Sequence, residues 1–304
     1  MDDLVTRLSG AVVGRRRELE LVVAALQADR HIVLEGPPGT GKSTLLRAVA
    51  HELGIGFEFV EGNAELTPAR LVGHFDPARV LTDGYVPDVF VPGPLVTAMT
   101  GGALLYVEEI NRIPEETLNV LITVMSEQEL HVPRLGRVVC TPGFRLVAAM
   151  NPFDAVGTAR ISGAVYDRMC RLAMTYQSAA EEVAIVEQAL PERLEPVWLG
   201  KVVELVRRTR EHPDLRMGSS VRGAIDLALV AVSLGSLRQL GPYQPSVGLD
   251  AAIVALSGRI RVREGSTRTA EGIVTELWEE IFGRVGAGDA EGKAGAPTGA
   301  SSSL

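Results

Sequence analysis

Residues Gly36-Pro37-Pro38-Gly39-Thr40-Gly41-Lys42-Ser43 follow the spacing G-x-x-x-x-G-K-[ST]. Each part of that pattern has a physical purpose. Glycines let successive backbone N–H groups turn inward around a polyphosphate, and the helix that follows adds the partial positive charge of its N-terminus. The lysine reaches the β and γ phosphates, and the hydroxyl joins a Mg²⁺ shell. Gly36 to Ser43, with Thr44 behind them, are therefore the candidate ATP-binding residues. Lysine occurs only at 42, 201 and 293, so Lys42 stands out in a chain whose positive charge is otherwise arginine. A second run, Ala103-Leu104-Leu105-Tyr106-Val107-Glu108-Glu109, is an apolar strand ending in two carboxylates. Beside a phosphate loop, one such carboxylate (Glu108, with Ser43) holds Mg²⁺ through its waters, and the next (Glu109) polarises the attacking water.

These groups need a scaffold that brings strand ends together. Ile32–Leu34, Phe57–Val60, Leu104–Val107, Phe144–Met150 and Leu172–Tyr176 read as short buried strands, and 42–53 as the helix behind the phosphate loop. Strands alternating with helical patterns predict a three-layer α/β domain with a mostly parallel sheet over 1–177. The pattern changes at Ser178, which with Glu181 forms a capping box ahead of an apolar-periodic helix. Helices near 197–210, 220–237, 249–263 and 269–283 make 178–285 a smaller all-helical domain. The Gly, Ala and Ser-rich 286–304 reads as a disordered tail.

In order along the chain, these motifs resemble the AAA+ ATPases, and within them the MoxR family. Val107-Glu108-Glu109-Ile110-Asn111-Arg112 is similar to that family's acidic Walker B segment, and Ala149-Met150-Asn151-Pro152 to its sensor 1. Tyr166-Asp167-Arg168 resembles the Asp-Arg pair carrying an arginine finger, with Arg160 and Arg171 as nearby alternatives. Ser220-Val221-Arg222 resembles sensor 2 at the start of a lid helix, and Val13-Gly14, before the first expected helix, the segment that packs on adenine. The resemblance covers about residues 10–283. It implies that Asn151 orients the attacking water, that Arg168 reaches a neighbour's site, and that Arg222 swings onto the phosphates. It further implies a homo-hexameric ring that remodels or matures a client protein complex, with a von Willebrand factor A domain protein as a separate partner. The Pro- and Gly-rich 75–95 and the hairpin Glu129–Val132/Arg137–Cys140 resemble that branch's helix 2 insert and pre-sensor 1 hairpin. One residue departs from the pattern: Glu108 stands where the family has aspartate. The extra methylene alters the reach to Mg²⁺ and favours slow hydrolysis, so an ATP-binding assembly switch that barely hydrolyses is the alternative.

Composition narrows the remaining classes. Hydrophobic residues are 46% and charged residues 22% of the 304, which supports a packed core. No stretch approaches the roughly 20 apolar residues of a membrane span, and the N-terminus lacks a signal-peptide pattern. These features point to the cytoplasm, as do Cys140 and Cys170, read as two buried free thiols. The net charge of −8 and the lack of an aromatic–basic stripe make a nucleic-acid-acting NTPase the weaker alternative. Histidines at 31, 51, 74, 131 and 212 show no metal-ligand spacing.

Overall fold

Apolar residues at helical spacing build the first two elements of this computed structural model, which describes residues 2–152 and 163–284. Helix α1 (Asp2–Ala11) buries Val5 and Leu8, and α2 (Arg16–Gln27) buries Leu19, Val22, Val23 and Leu26. A continuously buried run then forms β1 (His31–Glu35). Helix α3 (Lys42–Leu53) follows the glycine loop and stops at Gly54, which supplies the left-handed cap. Next come β2 (Phe57–Glu61), α4 (Pro68–Val72), β3 (Gly73–Phe75), α5 (Pro77–Asp83), β4 (Phe90–Pro92), α6 (Pro94–Gly101) and β5 (Leu104–Glu108). The unit is completed by α7 (Glu115–Glu127), β6 (Glu129–Val132), β7 (Gly136–Val139), β8 (Arg145–Met150), α8 (Gly163–Tyr166) and β9 (Met169–Ala173).

Five strands form one sheet in the order β2-β5-β8-β1-β9, with every neighbouring pair parallel. The two-residue period of a strand divides its side chains between two cores. Ile32, Leu34, Tyr106 and Val147 pack with Leu45, Leu46 and Val49 on one face. Val33, Leu105, Val107 and Ala148 pack with Leu95, Leu121 and Val124 on the other. A sheet covered by helices on both faces is the expected three-layer α/β arrangement.

The second compact unit begins at Ser178. It holds α9 (Ala179–Ala189), α10 (Pro196–Glu211), β10 (Leu215–Met217), α11 (Val221–Arg238), α12 (Pro245–Leu256), β11 (Arg261–Val262) and α13 (Ala270–Phe282). The capping box is present, with Ser178 Oγ accepting the Glu181 N–H and the Glu181 carboxylate accepting the Ser178 N–H. Trp278 is buried against α12 so closely that a Cβ at Gly248 would lie 2.3 Å from its ring.

Several sequence expectations are corrected. The fifth sheet strand lies at 169–173, three residues before its expected place, because its ladder with β1 runs from His31↔Met169 to Glu35↔Ala173. Beyond it, Met174 is buried in the core outside any strand, which explains the misleading apolar run. The second unit is helical as expected, with one short addition: β10 and β11 pair as an antiparallel ribbon. The helix expected to reach 263 ends at Leu256, and buried Ile260 prolongs its apolar pattern into the ribbon. Val13-Gly14 joins α1 to α2 rather than preceding the first helix. Neither cysteine is fully buried, since Cys170 is exposed on edge strand β9 and Cys140 is half-buried. Arg160 and the expected tail 286–304 lie outside the described residues.

One histidine is a structural part of the sheet. His31 Nδ1 accepts the Leu146 N–H at 2.9 Å, which requires a neutral ring nitrogen. Burial, aided by the charge of Arg30, lowers its pKa from 6.5 to about 4. A folded-state pKa below the unfolded one means that this stabilisation is complete above pH 6.5 and is lost as pH falls towards 4. The amount is at most about 3 kcal/mol. Urea unfolding across that window is expected to show wild type losing stability more steeply than His31→Gln. Parallel profiles would remove His31 as the source.

Candidate functional site

In a parallel sheet all strands end on one edge, and ligands bind outside those carboxyl ends. The loop after β1 is held there by its own backbone. The Gly36 N–H donates to Met150 O at 3.1 Å, and the Met174 N–H donates to Glu35 O at 2.6 Å. A Cβ on Gly36 would lie 2.3 Å from Met174 O, so no larger residue fits. Gly39 and Gly41 take left-handed φ values of 75° and 83°, which glycine adopts without strain. Gly41 is the residue from which α3 starts. Pro38 and Thr44 are exposed, whereas Thr40 is buried and its Oγ1 donates to Pro37 O at 3.0 Å. Lys42 is buried, and its Nζ donates to Gly36 O at 2.9 Å and to Pro37 O at 3.0 Å. Its ammonium is thus held at the loop itself.

The end of β5 meets the start of α3. Ser43 Oγ lies 3.3 Å from both oxygens of Glu108 and 3.2 Å from Tyr106 Oη. A hydroxyl beside a carboxylate is the hard oxygen donor set that suits Mg²⁺. Among the described residues no larger cluster of His, Cys, Asp and Glu forms a metal site. Burial pushes the Tyr106 phenol well above its usual range, so it remains a neutral hydroxyl.

Glu109 has φ 52° and ψ 42°, a conformation that costs a non-glycine residue of order 1–3 kcal/mol and clusters at functional sites. It begins a 3-10 turn over Ile110–Arg112, and Arg112 Nη1 meets its Oε2 at 3.0 Å. Asn151 follows the last residue of β8, and that residue, Met150, stands opposite Glu35 of β1. The loop, Ser43, Glu108, Glu109 and Asn151 thus gather at the carboxyl ends of β1, β5 and β8.

Arg168 follows α8, where it donates to Ser126 Oγ and, at 2.8 Å, to Ala164 O. Arg171 is occupied elsewhere, with its Nε donating to Glu35 Oε2 at 2.6 Å. Gly14 has φ 68°, in the connection before α2. Arg222 is exposed at the second residue of α11, in the second unit.

Sequence reading missed three members of this neighbourhood. Arg15, only 2% exposed, donates from Nη2 to Thr40 O at 2.9 Å and to Thr175 O at 2.6 Å, so it ties the loop to the segment after β9. Tyr106 was read as one more apolar strand residue, although the two-residue period places it on the face of Glu108. Glu35 closes β1 and is nearly fully buried, with its carboxylate bound by Arg171 and by the Tyr166 hydroxyl. Only Tyr106 had a signal in the sequence; the partners of Glu35 lie more than a hundred residues away, and Arg15 joins Thr40 to Thr175, the latter across 160 residues.

The sequence matches the AAA domain of the dynein-related subfamily over residues 31–169. Uncharacterized protein YeaC of Bacillus subtilis is 29% identical over 253 residues, 75% of this chain and 76% of that protein. Protein MoxR of Methylorubrum extorquens is 33% identical over 161 residues, 53% of this chain and 45% of its own length. Gas vesicle ATPase GvpN of Ancylobacter aquaticus is 29% identical over 229 residues, 69% and 63% of the two chains. This chain thus spans about half to two thirds of those two named relatives. A solved candidate ATPase of Cytophaga hutchinsonii superposes with a TM-score of 0.53 at 18% identity, covering 92% of this chain and 93% of that one. At that identity the match speaks to the fold.

Proposed function

Because this chain belongs to the MoxR family of AAA+ ATPases, we propose that it hydrolyses MgATP in a ring of like subunits and uses that cycle to remodel a client protein complex. The observation that carries this reading is the meeting of the phosphate loop, the Ser43–Glu108 pair and Glu109 at one edge of the sheet. Gly36 to Thr44 bind the triphosphate, with Lys42 moving from the loop carbonyls to the β and γ oxygens. Ser43 and Glu108 would hold Mg²⁺, which would supply neutralising charge to the phosphates. Glu109 takes the proton of the attacking water and Asn151 orients that water. Arg168, released from Ser126 and Ala164, neutralises transition-state charge in a neighbouring subunit's site, and Arg222 of the second unit adds a further cation. Val13 and Gly14 flank the base.

A homo-hexamer is the ring this reading takes. A von Willebrand factor A domain protein is its proposed partner, with the 75–95 insert and the β6–β7 hairpin as contact elements. Among the described residues no helix is long and apolar enough to cross a membrane. A cytoplasmic site of action accords with that and with thiols left free.

The test is steady-state Mg²⁺-dependent ATP hydrolysis across a range of protein concentrations. Specific activity is expected to rise with concentration as rings form and shared sites are completed. Concentration-independent turnover would overturn the shared site. Negligible turnover with intact ATP binding would favour the assembly switch, for which Glu108 is the specific observation.

A further inference from the structure

Glu35 is an ionisable side chain at the root of the phosphate loop that the hydrolytic scheme leaves unused. It is 4% exposed, at the last position of β1 and one residue before Gly36. A carboxylate so buried is tolerated only with partners that satisfy its charge. Here Arg171 Nε donates to Oε2 at 2.6 Å, and Tyr166 Oη donates to Oε1 at 2.5 Å. Arg171 stands opposite Val33 on neighbouring β9, two positions from the residue facing Glu35, so the contact is a same-face diagonal across the ladder. Tyr166 closes α8, two residues before Arg168. Its hydroxyl also lies 3.6 Å from Met150 Sδ, next to Asn151. Burial, with the Glu35 carboxylate second, pushes the Tyr166 phenol up to about 12, so it stays a donor at neutral pH. One carboxylate therefore grips the segment bearing Arg168 from both sides, at Tyr166 and at Arg171, while the Glu35 carbonyl accepts the Met174 N–H just beyond β9.

We propose that Glu35 is a positioning residue that, through Tyr166 and Arg171, sets the Arg168 segment from the root of the subunit's own phosphate loop, so that the finger offered to a neighbour is fixed by the loop of the subunit that offers it. This rests on the shared-site reading above. The geometry makes a specific demand: loosening the grip harms the adjacent subunit's hydrolysis and leaves ATP binding in the altered subunit intact. Among the described residues, Arg168 itself bonds to Ser126 and Ala164, contacts that must break for it to extend. A fixed pivot two residues upstream limits where it can go.

Tyr166→Phe removes one hydroxyl with little change in volume, and Glu35→Gln keeps an acceptor while losing the charge that holds Arg171. Hydrogen bonds to a charged group are worth enough that kcat is expected to fall roughly ten- to a hundred-fold in Tyr166→Phe. ATP affinity, read with a fluorescent analogue, is expected to stay near wild type in both variants. The decisive measurement mixes Tyr166→Phe with Glu109→Gln, which cannot hydrolyse but offers an intact finger. Hydrolysis well above the sum of the two alone is expected, because altered subunits then receive a good finger. Arg168→Ala mixed with Glu109→Gln is run beside it. If that pair complements and the Tyr166→Phe pair does not, the defect lies in the altered subunit's own site and the proposal fails while the shared site stands. If neither complements, the shared site fails and takes the proposal with it. Wild-type kcat in Tyr166→Phe, or lost ATP binding, would also overturn it.

Discussion

Replacing Glu109 by glutamine is expected to lower kcat for ATP hydrolysis by about 10²–10⁴-fold, the usual contribution of a general base. Glutamine has nearly the same size and cannot accept the proton. The exchange keeps the shape of the side chain and gives up the charge that faces Arg112 Nη1 at 3.0 Å. Glu109 sits at positive φ between β5 and a 3-10 turn. The neighbouring backbone is fixed from the other side, where the Gly62 N–H donates to Glu108 O at 2.7 Å. A Cβ on Gly62 would lie 2.4 Å from Glu109 O, so the two segments are in direct contact. Lys42, Ser43 and the loop amides are unchanged, so ATP affinity should stay within a few-fold and the variant should accumulate bound ATP. Single-turnover hydrolysis alongside equilibrium binding separates these effects. Turnover within tenfold of wild type would assign the base elsewhere.

Arg168→Ala is expected to have an effect of the same order or larger, because an arginine finger supplied from outside contributes about 10³–10⁵ in kcat. Its ATP affinity should change little. The structure separates the two described candidates for this role by what already holds them. Arg171 is bound to the buried Glu35 carboxylate at the end of β1. Arg168 holds one oxygen of the short helix just before it, Ala164 O, and one of α7, Ser126 Oγ, neither of them a carboxylate. A guanidinium is held more strongly by a buried carboxylate, where both partners are charged, than by neutral oxygens, so Arg168 is the cheaper of the two to release. Arg171→Ala should therefore lower kcat far less than Arg168→Ala, by roughly the ten- to a hundred-fold that loss of one charge-assisted anchor explains. Equal losses in both variants would show that Arg168 holds no special place.

The sheet and its loop were legible because their signals are local. The G-x-x-x-x-G-K-[ST] spacing, the buried run before it and the helix after it occupy adjacent residues, and α3 spans Lys42–Leu53 as the pattern implied. The capping box at Ser178 and Glu181 lies within four residues and marks the start of α9. The short ribbons were not legible. β3 with β4 and β10 with β11 are stretches of two or three residues, too short to show a period, and they exist only because a distant partner satisfies their backbone groups. The position of β9 was set by where β1 ends, not by where its own apolar residues lie.

The sequence by itself determined the phosphate loop, the paired carboxylates after β5 and the change of pattern at Ser178, since residue type and spacing along the chain are enough to specify them. Only the tertiary structure decided which side chains share a charge or a hydroxyl. Glu108 meets Ser43 across 65 residues, Arg15 reaches Thr175 across 160, and Arg171 reaches Glu35 across 136. A parallel sheet makes such pairs possible, because it brings the carboxyl ends of strands distant in sequence to one edge, about 4.8 Å apart from strand to strand. No local propensity encodes which buried charge that edge will set beside which cation.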